Sequence, residues 1–269
     1  MLQLRVNLPA AYAEKSGEYV ELFLNQRIHP EIGLDAGSVD RLPPHFHEGL
    51  ARTFLDAGLR PSVHLPFQDL LPGARDPLIR DATSRRLKAA VETAKIYDPV
   101  HLIGHAVYWH PFYLNNFDQW LSNSLITWRE ILAHWPDHPP LYLENVFETD
   151  PEPMARLMRE LDAPDVGICL DVGHWMSFAG GAEKKNLRHW MESLAPWMGH
   201  LHLHDNDGTS DHHAGMGQGD FPWPEFFSML KELGLRPGFT LEPHTMESFN
   251  DSKAFIETNP DWFKQLYTI

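Results

Sequence analysis

Five imidazoles and four carboxylates fall where short apolar runs of the chain end: His64, His105, Glu144, Asp171, His174, His202, Asp211, His213 and Glu242. These are donor types of divalent transition-metal sites, and no thiolate is among them. The set suits Zn or Mn, with Fe as an alternative, better than the all-oxygen sites of Mg or Ca. A zinc ion usually takes four ligands and a catalytic one keeps a position open, so two or three ions would use all nine donors. With a single ion, the rest would orient ligands or touch substrate. Metal-assisted polarisation or hydrolysis is the chemistry such a set performs.

Residues this far apart in sequence meet only where a fold gathers strand ends on one face. Eight apolar runs, 2–6, 31–34, 61–64, 101–105, 141–144, 166–171, 200–204 and 239–242, alternate with segments of helical period. That alternation predicts an α/β protein, a single-domain (β/α)8 TIM barrel over residues 1–269, whose strand C-termini form the active face. Strand three then closes on His64, strand four on His105, strand five on Glu144, strand six on Asp171 and its neighbour His174, strand seven on His202, and strand eight on Glu242. Asp211 and His213 follow strand seven in a loop.

Strand seven places His200, His202 and His204 on one face and Leu201 and Leu203 on the other. His202 is the candidate ligand, His200 is structural, and His204 or Asp205 orients a ligand. The clearest helix is 115–135, where Phe117, Trp120, Leu121, Leu125, Trp128, Leu132 and Trp135 recur at three- and four-residue spacing as a core stripe. Pro77, Pro151, Pro153 and Pro224 mark helix starts, and Gly58, Pro136 and Gly234 mark stops.

A net charge of −15 argues against a polyanionic partner unless basic residues cluster on one face. No Gly-rich nucleotide loop is present. The N-terminus lacks the pattern of a signal peptide and no apolar run is long enough to span a bilayer, so a cytoplasmic protein without membrane contact is expected. Cys169 is the single cysteine and sits in the apolar run GICLDV, as a small buried thiol would.

The motifs HLPF (64–67), HLIGHA (101–106), LENV (143–146), CLDVGH (169–174), HLHLHDNDGTSDHHAGMGQGD (200–220) and TLEPH (240–244) resemble the xylose-isomerase-like TIM barrel superfamily. That group joins endonuclease IV with sugar and sugar-phosphate isomerases and epimerases. The resemblance implies that a three-metal site like that of endonuclease IV maps onto all nine donors, with Gly217 and Gly219 completing the motif after His213. A one-metal ketose epimerase would instead place its ion on Glu144, Asp171, His202 and Glu242, with Glu144 and Glu242 as catalytic acid and base. Such epimerases carry an arginine shortly after the strand-seven histidine, where this chain has Gly208.

The loops expected at the mouth, 106–116, 146–153, 205–222 and 243–252, contain no lysine or arginine. Binding a DNA backbone relies on such cations, so nucleic acid is not the expected partner. Lys184 and Lys185 are the nearby cations that could hold a phosphate. The mouth is instead rich in aromatics: Tyr108, Trp109, Phe112, Tyr113, Phe147, Phe221 and Trp223, joined by Phe67, Trp175 and Phe178 after other strands. Phe67, Trp109 and Trp175 are the candidate substrate contacts or supports, a composition that suits a small polyhydroxy ligand. The sequence thus ranks a metal-dependent isomerase or epimerase of a small sugar first. Endonuclease-IV-like phosphoester hydrolysis comes second, and a non-catalytic metal- or sugar-binding barrel third.

Overall fold

The computed structural model describes residues 4–114, 116–264 and 266. Eight strands, β1 (Arg5–Pro9), β2 (His29–Gly33), β3 (Ser62–His64), β4 (Leu102–His105), β5 (Leu141–Glu144), β6 (Val166–Asp171), β7 (Met198–Leu203) and β8 (Gly238–Leu241), pair in sequence order into a closed barrel. Every pairing is parallel. Helices follow the strands and cover the outside, so this is the single-domain (β/α)8 barrel that the alternating runs predict. Register then aligns the chemistry: His105 pairs with Glu144 and Asp171 with His202, which puts their side chains at one end of the barrel.

Strands β5 and β6 match their apolar runs to the residue, whereas β1 and β2 do not. β1 begins and ends later than the run 2–6, and Leu2 and Gln3 of that run lie outside the described residues. β2 begins earlier, at His29. The reason is a polar barrel interior: Arg5, Glu31, Ser62, His101, His200, His202 and Thr240 are all buried. A strand that turns such groups inward has no apolar run to mark it. β7 ends at Leu203 and β8 at Leu241, leaving His204 and Glu242 just beyond the ladder, where loops can carry them towards the mouth.

Outside the barrel the helical stripes hold as expected. The helix Phe117–His134 buries Trp120, Leu121, Leu125 and Trp128; Asn115, placed in it by the sequence, lies outside the described residues. Each such fully buried side chain contributes about 1.5–3 kcal/mol. Prolines stand at the first turn of Pro77–Lys95, Glu152–Leu161 and Trp223–Glu232, where a missing N–H costs nothing. Cys169 is free and buried, and burial raises its thiol far above the ordinary range, so it stays protonated. Among the described residues no helix is long and apolar enough to cross a membrane.

Candidate metal centre

Glu144, 1% exposed at the end of β5, is the hub of the gathered donors. Its Oε2 lies 3.2 Å from His64 Nε2, 3.1 Å from His105 Nε2 and 3.2 Å from His202 Nδ1. Its Oε1 lies 3.1 Å from His174 Nδ1. Glu242 Oε1 approaches the same His202 Nδ1 at 3.3 Å, and Asp171 Oδ2 stands 3.9 Å away. Three carboxylates thus converge on one imidazole nitrogen, and at most one of them can receive a proton from it.

A second group sits beside this one. His174 Nε2 is 3.4 Å and His213 Nε2 2.9 Å from Asp211 Oδ2, while His204 Nε2 is 3.1 Å from Asp171 Oδ1 and 3.8 Å from Asp211 Oδ1. All nine donors of the sequence motif are therefore brought together, and His204, expected to orient a ligand, stands among them as a donor in its own right. The helix Val172–Ser177 makes this possible. Asp171 caps it by accepting from the His174 amide at 2.6 Å, and Gly173 leaves room for the His204 ring, which any Cβ there would strike.

Backbone carbonyls orient the imidazoles. His64 Nδ1 donates to the Leu65 carbonyl at 2.9 Å, His174 Nδ1 to Asn145 at 2.8 Å and His213 Nδ1 to Glu242 at 2.7 Å. A carbonyl only accepts, so in each case Nδ1 carries a proton and Nε2 is the ring atom turned towards the carboxylates of the cluster, free to donate a lone pair once the ring is neutral. Metal-ligating histidines are held in this way.

The electrostatics follow from packing acids against bases out of water. Burial alone would raise the Glu144 and Asp171 carboxyls, but the surrounding imidazoles hold Glu144 well below the ordinary range and Asp171 below it. Burial alone would lower His174 and His202, yet the carboxylates hold both well above it. His213 follows suit: Asp211, Glu242 and Asp171 overcome its burial and lift it to about 9. His105 goes the other way, lowered by burial.

The donor set fits divalent cations on two observations. Groups of three or four donor atoms lie within 4.8 Å of one another, among them His64–His105–Glu144, Glu144–Asp171–His174 and His174–His204–Asp211–His213. Two atoms facing the cluster, His202 Nδ1 and Asp211 Oδ1, are buried without a hydrogen-bond partner. Buried polar atoms seldom go unpartnered, because their desolvation is then uncompensated.

Two rim residues lie elsewhere than the sequence suggests. Trp175 is in the core, edge-on to Phe221 with its Nε1 donating to Asn186, and so cannot reach a substrate. Asp205 is engaged by its own loop: its carboxylate accepts from the amides of Asn206, Gly217 and Phe221 and from Trp223 Nε1, fastening the long loop after β7. Tyr108, Tyr113, Phe221 and Trp223 are buried supports as well. The exposed rings are Phe67, Trp109, Phe112, Phe147 and Phe178. Phe67 stacks on His105 at 4.3 Å, and Trp109 bridges Phe112 at 4.6 Å and Phe147 at 6.1 Å, with Phe178 continuing the wall to His174.

Other residues of the site escaped the sequence reading. Buried Glu148 accepts from the amides of Tyr108 and Val146 and so joins two rim loops. His244 stacks on His213 at 3.7 Å. Glu31, fully buried, lies under His202. Its only signal was an acid inside the β-type run HPEIG, and nothing before barrel closure links it to strand seven. Lys184 is committed elsewhere, donating to the carbonyls of Thr149 and Ala179. At Gly208, φ is +81° and a Cβ would collide with Ala182, so no arginine fits at that position.

Residues 10–266 match the family model described as xylose isomerase-like TIM barrel, and the chain belongs to that family. An uncharacterised protein of Methanocaldococcus jannaschii is 27% identical over 202 residues, 72% of this chain and 68% of that protein. Among solved structures, a D-tagatose 3-epimerase-like protein superposes with a TM-score of 0.79 at 22% identity, covering 97% of this chain and 99% of the other. A Thermus thermophilus protein soaked with ZnCl2 superposes with a TM-score of 0.73 at 24% identity, covering 96% and 97%.

Proposed function

We propose that this protein is a divalent-metal-dependent isomerase or epimerase of a small sugar or related polyhydroxy compound. The observation that carries this reading is the convergence of Glu144 and Glu242 on His202 Nδ1 beneath an aromatic rim free of lysine and arginine. Two or three ions, Zn or Mn, would be held by the group around Glu144, Asp171, His202 and Glu242 with His64 and His105, and by His174, Asp211 and His213 with His204. A bound ion supplies polarisation of vicinal sugar oxygens, which acidifies the adjacent carbon. Glu242, just past the end of β8, is the carboxylate that takes the carbon-bound proton. Glu144, on a non-adjacent strand, serves the opposite face of the substrate. Phe67 and Trp109 cover apolar sugar faces and exclude water. The fold shared with a D-tagatose 3-epimerase-like protein supports this class, and the fold shared with a ZnCl2-soaked protein supports the metal.

A second reading, phosphoester hydrolysis, is favoured by the outer donors His174, Asp211 and His213, which exceed the needs of a one-ion epimerase, and by the missing arginine position at Gly208. The two separate in one experiment. Metal-loaded protein is incubated with a panel of ketoses in deuterated water and, in parallel, with abasic-site duplex DNA. Deuterium incorporation at a sugar carbon is expected, abolished in a folded Glu144→Gln variant. Strand cleavage without exchange, or exchange that survives Glu144→Gln, contradicts the proposal.

A further inference from the structure

Beneath the donors, the barrel axis holds a chain of polar groups that no step described so far uses. Arg5 Nη1 donates to Ser62 Oγ at 3.1 Å, and Ser62 Oγ donates to Glu31 Oε2 at 3.1 Å. From the other side His200 Nε2 donates to Thr240 Oγ1 at 2.9 Å, and Thr240 Oγ1 donates to the same Glu31 Oε2 at 2.9 Å. His101 Nε2 adds a third approach to Oε2 at 3.4 Å. Glu31 Oε2 is therefore saturated, and the carboxylate is fixed in one orientation by strands on both sides.

That orientation aims the other oxygen. Glu31 Oε1 lies 3.0 Å from His202 Nε2 as a close ion-pair contact, short of an aligned hydrogen bond, and neither atom has a hydrogen-bond partner elsewhere. The opposite nitrogen of the same ring, Nδ1, is the one on which Glu144, Glu242 and Asp171 converge. His202 differs in this from His64, His174 and His213, whose Nδ1 atoms are tied to backbone carbonyls. No carbonyl is paired with His202 among the described residues; a carboxylate takes that place.

We infer that Glu31 is a positioning residue that keeps the His202 proton on Nε2 and presents Nδ1 as the metal-donating atom. An acid hydrogen-bonded to the far nitrogen of a ligating imidazole fixes its tautomer and makes it a stronger donor, and losing one typically lowers metal affinity about 10- to 100-fold. The inference rests on the proposed metal site, but not on which reaction the site performs. Arg5, spaced from Glu31 by the Ser62 hydroxyl, places a buried positive charge two hydrogen bonds from the carboxylate.

Two measurements on the full chain test it, with zinc alone as the probe. In ¹⁵N-histidine spectra of zinc-loaded wild type, with the ring assigned through a His202→Gln variant, His202 should carry its proton on Nε2 and bind zinc through Nδ1. Zinc titration of chelator-treated protein should show Glu31→Gln binding the tightest ion about 10- to 100-fold more weakly than wild type, with Glu31→Leu weaker still. A His202 proton on Nδ1, or unchanged zinc affinity in a folded Glu31→Gln variant, overturns the role of Glu31 while leaving the metal site standing. Failure of the wild type to take up zinc overturns both.

Discussion

At the residue scale, the site is a balance of buried acids against buried imidazoles. Without divalent cations the carboxylates of Glu144, Asp171, Asp211 and Glu242 draw protons onto His174, His202 and His213, the last lifted from 6.5 to about 9. The sign of the pH effect follows. A histidine with a raised folded-state pKa contributes stability that is complete below its unfolded value and is lost as pH climbs through the folded value. Chelated protein should accordingly lose thermal stability between pH 6.5 and about 9, whereas metal-loaded protein, its imidazoles neutral as ligands, should not share that slope. Melting curves of both forms across this window check the expectation, and a flat profile for the chelated form contradicts it. The donor residues themselves were legible in the sequence because strand ends announce them. Glu31 was not, because its significance depends on the closing of the barrel, which joins β1 to β8 and so brings β2 within three strands of β7.

At the element scale, loops rather than strands decide what the donors face. Asp205 collects three amides and an indole N–H, and Gly217 and Phe221 reach it from well along the same loop. The sequence suggested an orienting role for Asp205 from its proximity to His204. Its fastening role was hidden, since backbone donors leave no mark in side-chain pattern. Replacing a buried carboxylate by alanine here strands several donors, and each hydrogen bond to a charged acceptor contributes about 1.5–3 kcal/mol. Asp205→Ala should therefore destabilise the fold by about 3 kcal/mol or more and weaken metal binding through Asp211 and His213, which that loop carries. Denaturant unfolding and zinc titration measure the two effects. A variant with wild-type stability would remove Asp205 from this role. The rim shows the same limit of sequence reading: Trp109 and Phe67 are exposed at the mouth, while Trp175 turns into the core because the short helix that carries it packs against Phe221.

At the scale of the whole molecule, the barrel gathers at one end donors that the sequence distributes over six strands and their loops. Periodicity made that architecture legible where strands are apolar, as in β5 and β6. It blurred where Arg5, His29 and Glu31 turn inward, because polar groups interrupt the pattern that defines a strand. The resulting interior is costly unless its charges are compensated, which the Arg5–Ser62–Glu31 chain does below and the proposed cations do above. The central claim is that the gathered donors are a multinuclear metal centre. Elemental analysis of protein purified without chelators, then reloaded with Mn and Zn, tests it directly: two or three ions per chain are predicted, and one ion or fewer would contradict it.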